Sequence, residues 1–100
     1  AKLEKRFGTH RYDRLDTHFP LEKRAKLMKY CAEHPPVKLA GSPIAEIKTF
    51  DGVKYIAENG AWLMLRGSGT EPILRIYAEA GTDAKTKQLI KLGVQQTQKV

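Results

Sequence analysis

Cysteine is nearly absent from this chain. Cys31 is the sole example in 100 residues, which excludes an intrachain disulfide and any metal cluster built on paired cysteines. A reduced, cytoplasmic setting is the expectation that follows. Cys31 falls at an apolar position of a helical pattern and reads as a packed thiol, not a nucleophile. His10 and His18 have no cysteine or histidine partner at metal-ligand spacing, and His34 reads as a helix-end residue, so no metal site is expected. Long hydrophobic runs are missing too. None approaches the ~18 residues that a membrane span requires, and Ala1-Lys2-Leu3-Glu4-Lys5-Arg6 lacks the apolar region of a secretory signal. No membrane partner is expected. The first residue is not Met, and the chain reads as a piece of something longer. Runs of five or more like charges are also lacking, so there is no basic tail of the nucleic-acid-binding kind.

What is present is a modest core and a surplus of positive charge. One hundred residues with 41% hydrophobic content make one domain's worth of chain. Lys and Arg number 18 against 11 Asp and Glu, a net charge of +7. The excess lies mainly in residues 1–50, which carry 11 basic and 6 acidic residues, against 7 and 5 in residues 51–100. This balance reads as a solvated basic surface, and it also suits a small anionic ligand.

Residues 1–10 are charged and poorly patterned, with Gly8 breaking any helix, and read as a linker or a frayed end. Arg11 to Asp16 alternates loosely and reads as a strand whose charges suit a sheet edge. From Pro20 to His34 the pattern is helical. Leu21, Ala25, Met28 and Ala32 form one apolar stripe, widened by Leu27 and Cys31, and Pro35-Pro36 ends the helix. Gly41-Ser42-Pro43 reads as a turn. Four strand-like runs follow: Ile44–Phe50, Val53–Glu58, Ala61–Arg66 and Ile73–Ala80. Asp51-Gly52 and Asn59-Gly60 between them are two-residue hairpin signals, because a type I′ turn needs positive φ at both central residues. In the last strand Leu74, Ile76, Ala78 and Ala80 share one face, and Arg75, Tyr77 and Glu79 the other. Thr82-Asp83 is an N-cap for a final helix to about Thr97, with Leu89, Ile90 and Val94 on its apolar face. Gly93 inside that helix costs about 1 kcal/mol relative to Ala, so the last turn is expected to fray. The predicted order is β-α-β4-α, an α+β layer arrangement with two helices on one face of a mostly antiparallel sheet.

The third connection, Arg66-Gly67-Ser68-Gly69-Thr70-Glu71-Pro72, stands apart. Its two glycines let the backbone turn tightly and approach a ligand. Successive N–H groups in such a turn can face an anion. Ser68 and Thr70 add hydroxyls, and Arg66 adds a guanidinium suited to phosphate. The plain alternative is a polar turn between two strands. At about six residues, Gly67 to Pro72 is longer than the two minimal turns before it, and extra loop length carrying Arg, Ser and Thr favours a phosphate cradle.

Extended to Ile73-Leu74-Arg75-Ile76-Tyr77-Ala78-Glu79-Ala80, this stretch resembles the phosphate-binding segment in the C-terminal domain of the α-D-phosphohexomutases. That family comprises the phosphoglucomutases, phosphomannomutases and phosphoglucosamine mutases. Asp51-Gly52-Val53-Lys54 and Gly60-Ala61-Trp62-Leu63 are similar to the same domain, and the likeness covers most of residues 12–98. The resemblance implies a TATA-binding-protein-like α+β fold, with residues 1–10 from a linker or the preceding domain and 11–100 as the fourth domain. It implies an isomerase that interconverts sugar 1-phosphates and 6-phosphates through a phosphoserine, with Mg2+ held by another domain of the same chain. Arg66, Ser68, Gly69 and Thr70 would contact the phosphate that is not being transferred, supported by Gly67, Glu71 and Arg75. Ser68 would be a ligand and not the phosphorylated serine. Neither a phosphoserine loop nor an Asp-x-Asp-x-Asp metal loop occurs here. The fragment therefore carries no catalytic residue of that reaction and is not expected to be active alone. Tyr77-Ala78-Glu79-Ala80 resembles the phosphoglucomutase/phosphomannomutase branch more than the glucosamine branch. Expected partners are a hexose phosphate and the other domains of the same chain. A nucleic-acid-binding module is the competing class. Against it stand the diffuse charge and the want of an evident aromatic pair on a strand. A domain serving only regulation or assembly is a third possibility, which the intact loop argues against.

Overall fold

The computed structural model describes residues 11–100. The expected linker at 1–10, with His10, lies outside the described residues. Strand β1 (Arg11–His18) is followed by a short 3-10 turn and helix α1 (Arg24–Glu33). Strands β2 (Lys38–Leu39), β3 (Ser42–Lys48), β4 (Val53–Ala57), β5 (Trp62–Gly67) and β6 (Ile73–Ala80) come next, and helix α2 (Asp83–Thr97) closes the order. The strands form one antiparallel sheet in the spatial order β1-β6-β5-β4-β3-β2. The class is α+β, as the sequence implies.

Alternation decides which face of the sheet is covered. Val53, Tyr55, Ala57, Leu63, Leu65, Leu74, Ile76, Ala78 and Ala80 are all buried, while the strand residues between them are half-buried. Helix residues Leu27, Cys31 and Leu89 join that core, with Phe19, Leu39 and Ala61 at its margins in the chain. Burying a large aliphatic side chain contributes about 1.5–3 kcal/mol, so this single face holds most of the fold's driving force. β1 sits at the edge beside β6, and its exposed charges suit that position. Helix α2 starts as its cap predicts, with Thr82 Oγ1 accepting from Lys85 N at 3.1 Å.

Four expectations change. First, α1 does not bury the stripe through Leu21, Ala25 and Ala32, which are exposed. Leu27 and Cys31 are the buried residues, with Met28 half-buried. Leu21 itself lies in a 3-10 turn ahead of the helix and is exposed. Second, Ser42-Pro43 is strand, not turn. The reversal is Ala40-Gly41, at φ 49° and 93°, and it creates the unforeseen strand β2. Third, paired positive φ occurs at Ala40-Gly41 and at Asp51-Gly52 (56° and 122°), but at Asn59-Gly60 only Gly60 is positive. Asn59 instead accepts from Ala61 N through Oδ1 at 3.0 Å. Fourth, β3 and β4 stop earlier than their apolar patterns, at Lys48 and Ala57, and β5 runs from Trp62 to Gly67. The three connections are then residues 49–52, 58–61 and 68–72, so the third exceeds the others by one residue. Loop length does not set it apart; its contents do.

Gly93 also has a different meaning. A Cβ there would lie 2.7 Å from Ile76 Cγ2 and 3.4 Å from Leu63 Cδ1. The glycine lets α2 approach the sheet, and it sits in mid-helix, not in a frayed turn.

A cleft beside the β5–β6 loop

Arg66 closes the regular part of β5 and stands opposite Arg75 of β6 in the ladder. Like charges directly opposite are destabilising, and each here has a carboxylate. Arg66 Nη2 lies 3.3 Å from Asp51 Oδ2, and Arg75 Nε lies 3.8 Å from Asp16 Oδ2. Both pairs are more than a third exposed to solvent, so each adds little to stability. Their consequence is positional: two guanidinium groups are held at the end of the β5–β6 pair.

The loop then folds on itself. Ser68 N donates to Ile73 O at 3.0 Å and Ile73 N to Glu71 O at 2.7 Å. Ser68 Oγ accepts from Glu71 N at 3.2 Å and from Thr70 N at 3.4 Å. Phe19 N donates to Pro72 O at 2.8 Å, which ties the loop's far end to the segment after β1. Thus the amides of residues 68, 70, 71 and 73 serve the loop itself. Among the described residues, Gly69 N–H is the loop amide left without an internal partner. The expected cradle of successive free N–H groups reduces to this one amide, the hydroxyl protons of Ser68 and Thr70, and Arg66.

Neither loop glycine has the positive φ that a tight glycine turn would require. Gly67 is small because a Cβ there would collide with the side chain of Arg24. Gly69 differs: a Cβ built on it meets nothing within 4 Å. Beside it opens a cleft of about 520 Å³ between the start of α1, the β3–β4 hairpin and the loop. Leu21, Arg24, Ala25 and Met28 line one side, and Asp51, Gly52, Arg66, Gly67 and Gly69 the other.

Of the residues expected at the site, Arg66, Gly67 and Gly69 reach this cleft. Ser68 shapes the loop's turn, Thr70 and Glu71 are exposed, and Arg75 pairs with Asp16. Two cleft residues escaped sequence reasoning. Asp51 carried a turn signal that hid its ion pair. Arg24 looked like any solvated helix cation, yet its Nη1 donates to Ser68 O across 44 residues of sequence. Only the packing of α1 against the loop reveals that. Among the described residues no group of three or more His, Cys, Asp and Glu side chains lies together that could hold a metal ion. No helix of the described residues is long and apolar enough to cross a membrane.

The opposite face of the sheet carries a feature that the sequence concealed. Tyr12 and Trp62 flank Glu79 from β1 and β5. Their ring centroids are 6.2 Å apart, and Lys54 Nζ lies 4.5 Å from the Trp62 ring. Trp62 Nε1 donates to Glu79 Oε1 at 2.8 Å. The absence of an aromatic pair, used above against nucleic-acid binding, therefore does not hold. β1 lies beside β6, and that neighbourhood was invisible in sequence.

Comparison with known proteins places the fold in a family. Residues 17–92 match the sequence profile of the phosphoglucomutase/phosphomannomutase C-terminal domain. A phosphopentomutase of Thermococcus kodakarensis is 32% identical over 92 residues, which are 92% of this chain and 20% of that protein. A phosphoglucomutase/phosphomannomutase of the same organism is 45% identical over 49% of this chain and 10% of its own length. A phosphoglucosamine mutase of Methanocaldococcus jannaschii is 34% identical over 73% of this chain and 15% of its own length. The chain spans about a fifth or less of these relatives. It belongs to the phosphoglucomutase/phosphomannomutase family, and it corresponds to that family's C-terminal domain.

Proposed function

We propose that this domain holds a phosphate group of a sugar phosphate, the one not being transferred, within a longer phosphosugar mutase. Arg66, Ser68, Gly69 and Thr70 are its contacts. One observation carries the reading: Gly69 lacks a side chain where the fold does not require that, and its free N–H lies beside a cleft that holds two guanidinium groups. Backbone N–H, hydroxyl and guanidinium donors match the acceptor oxygens of a phosphate. None of them reads a sugar ring. That agrees with the names of the relatives, which include a phosphopentomutase, a phosphoglucomutase/phosphomannomutase and a phosphoglucosamine mutase. Glucose or mannose phosphate is the finer proposal, drawn from Tyr77-Ala78-Glu79-Ala80, with glucosamine phosphate as the alternative. The chemistry of transfer, with its phosphoserine and Mg2+, is assigned to other parts of a longer cytoplasmic chain. A phosphate clamp remote from the reacting atoms contributes by orienting the sugar for transfer.

A basic nucleic-acid-binding module is the second reading, favoured by the Tyr12–Trp62 pair with Lys54 above it. Trp62 is already engaged on its edge by Glu79 and on its face by Lys54, which leaves less of the ring for base stacking. Amide shifts of the isotope-labelled chain separate the two. Inorganic phosphate and a hexose phosphate are expected to move Arg66 to Thr70, and a short oligonucleotide to leave Tyr12, Lys54 and Trp62 still. Oligonucleotide shifts at Tyr12, Lys54 and Trp62 with a silent 66–70 segment would replace the phosphate reading with the other.

A further inference from the structure

We infer that Arg24 is a positioning residue of the phosphate loop, through which helix α1 sets the backbone of residues 67–69; the anion-binding part of this inference rests on the function proposed above. Two independent features meet at its side chain. Its Nη1 donates to Ser68 O, fixing the carbonyl that precedes Gly69. Its methylene stem runs over Gly67, where any Cβ would collide with it. Gly67 is therefore the space that Arg24 occupies, and its φ gives no other reason for glycine.

The geometry has a consequence for the amide of Gly69, a residue of the cleft lining whose N–H has no internal partner. Ser68 O and Gly69 N belong to one peptide plane. A donor that holds the carbonyl on one side turns the N–H to the other. Within the loop no other described side chain binds Ser68 O, since Ser68 Oγ serves Thr70 and Glu71. Arg24 thus orients the free N–H of Gly69. It also brings a second guanidinium to the cleft edge, with Arg66 on the other side. Arg66 is balanced by Asp51, while no carboxylate pairs with Arg24 among the described residues. The net field in the cleft is positive, and the part of it that depends on α1 is Arg24.

The test needs one readout without ligand and one with it, on the labelled 100-residue chain and its Arg24→Ala, Arg24→Lys, Gly67→Ala and double Arg24→Ala/Gly67→Ala variants. Without ligand, Arg24→Ala is expected to raise amide hydrogen exchange at Ser68, Thr70 and Glu71, the loop amides that hold internal hydrogen bonds, about tenfold, the scale of one lost charged hydrogen bond. The rest of the spectrum should stay unchanged. Arg24→Lys, which keeps a donor for Ser68 O, should return exchange to within about threefold of the parent. Gly67→Ala should mimic Arg24→Ala, and the double variant should be no worse than either alone, because the added methyl then fills the vacated space. With inorganic phosphate, Arg24→Ala should weaken binding about tenfold. Unchanged exchange and affinity in Arg24→Ala, or additive effects of the two substitutions, would overturn the inference. If the parent binds no phosphate but the exchange and coupling results hold, the positioning role of Arg24 stands and the phosphate reading of the loop falls.

Discussion

The seam between α2 and the sheet and the loop between β5 and β6 both place a glycine in contact with function or fold, for opposite reasons. At the seam every unusual residue has a structural partner. Gly93 admits Ile76 at a distance that no Cβ would tolerate. Thr86 Oγ1 lies 2.8 Å from Arg11 O and fastens the helix to the edge strand. Gln96 Nε2 donates to Tyr55 Oη at 3.3 Å, and Tyr55 Oη to Cys31 O at 2.6 Å, so a buried polar group in one helix reaches the other through the sheet. In the loop, Gly67 answers to Arg24, but Gly69 answers to nothing in the domain. A residue type that packing does not explain is where an outside partner is to be sought.

The largest effect expected from this contrast is at Gly93. Substituting Ala removes a propensity penalty of about 1 kcal/mol, so sequence alone would forecast a gain. Overpacking against Ile76 costs about 1–3 kcal/mol and should prevail. Gly93→Ala is expected to lower Tm by several degrees, up to roughly 10 °C, with phosphate shifts at 66–70 unchanged. A Tm equal to or above the parent's in thermal unfolding would erase the distinction between seam and loop.

The second effect is pH-dependent and lies at the same seam. Burial raises the Tyr55 phenol well above its ordinary value, with the neighbouring Cys31 adding to the rise. Burial likewise raises the Cys31 thiol, partly offset by its hydrogen bonds to Tyr55 and Gln96. The native state therefore keeps both protons more tightly than the unfolded chain does. Their contribution to stability is present in full below the ordinary thiol and phenol values, about 8.5 and 10, and declines as pH rises beyond them. The urea midpoint should be flat from neutral pH to about 8 and fall above about 9. Tyr55→Phe should lower the midpoint by an amount worth about 1 kcal/mol at neutral pH and make the alkaline fall shallower. A fall of equal steepness in Tyr55→Phe would show that the phenol is not responsible.

The contrast also marks what sequence can reveal. Strand β6 and helix α2 were legible because their patterns are local: period-two burial from Leu74 to Ala80, and a Thr82 cap before an apolar face. The resemblance at 66–80 located the loop. The buried stripe of α1 was misjudged because the face that meets the sheet is the one through Leu27 and Cys31, which tertiary packing and not the local apolar spacing selects. β2 was missed because Ala40 adopts positive φ without being glycine or asparagine, which no turn rule anticipates. Arg24, Asp51 and the Tyr12–Trp62 pair depend on contacts between elements distant in sequence, and nothing near them in the chain signals those contacts. Core faces are written locally; the cleft is made by tertiary neighbours.

The smallest effect on stability, and the sharpest on the proposed site, belongs to Gly69. Its φ lies outside the left-handed region and its Cβ position is open. Replacing glycine under those conditions restricts the unfolded chain more than it strains the native one, a gain of about 0.4–1 kcal/mol at most. Gly69→Ala should therefore unfold at the parent's temperature or slightly above it. The added methyl would stand beside the free N–H, at the mouth of the cleft, where a bound phosphate oxygen must come close. Affinity for inorganic phosphate should fall by about tenfold or more, as one charge-assisted hydrogen bond is obstructed. The two measurements must diverge: a residue kept for the fold loses both together, as Gly93 would lose stability first, whereas a residue kept for an anion loses only binding. If Gly69→Ala binds phosphate like the parent, the open space beside Gly69 is not a ligand's, and the loop returns to being a polar turn between two strands.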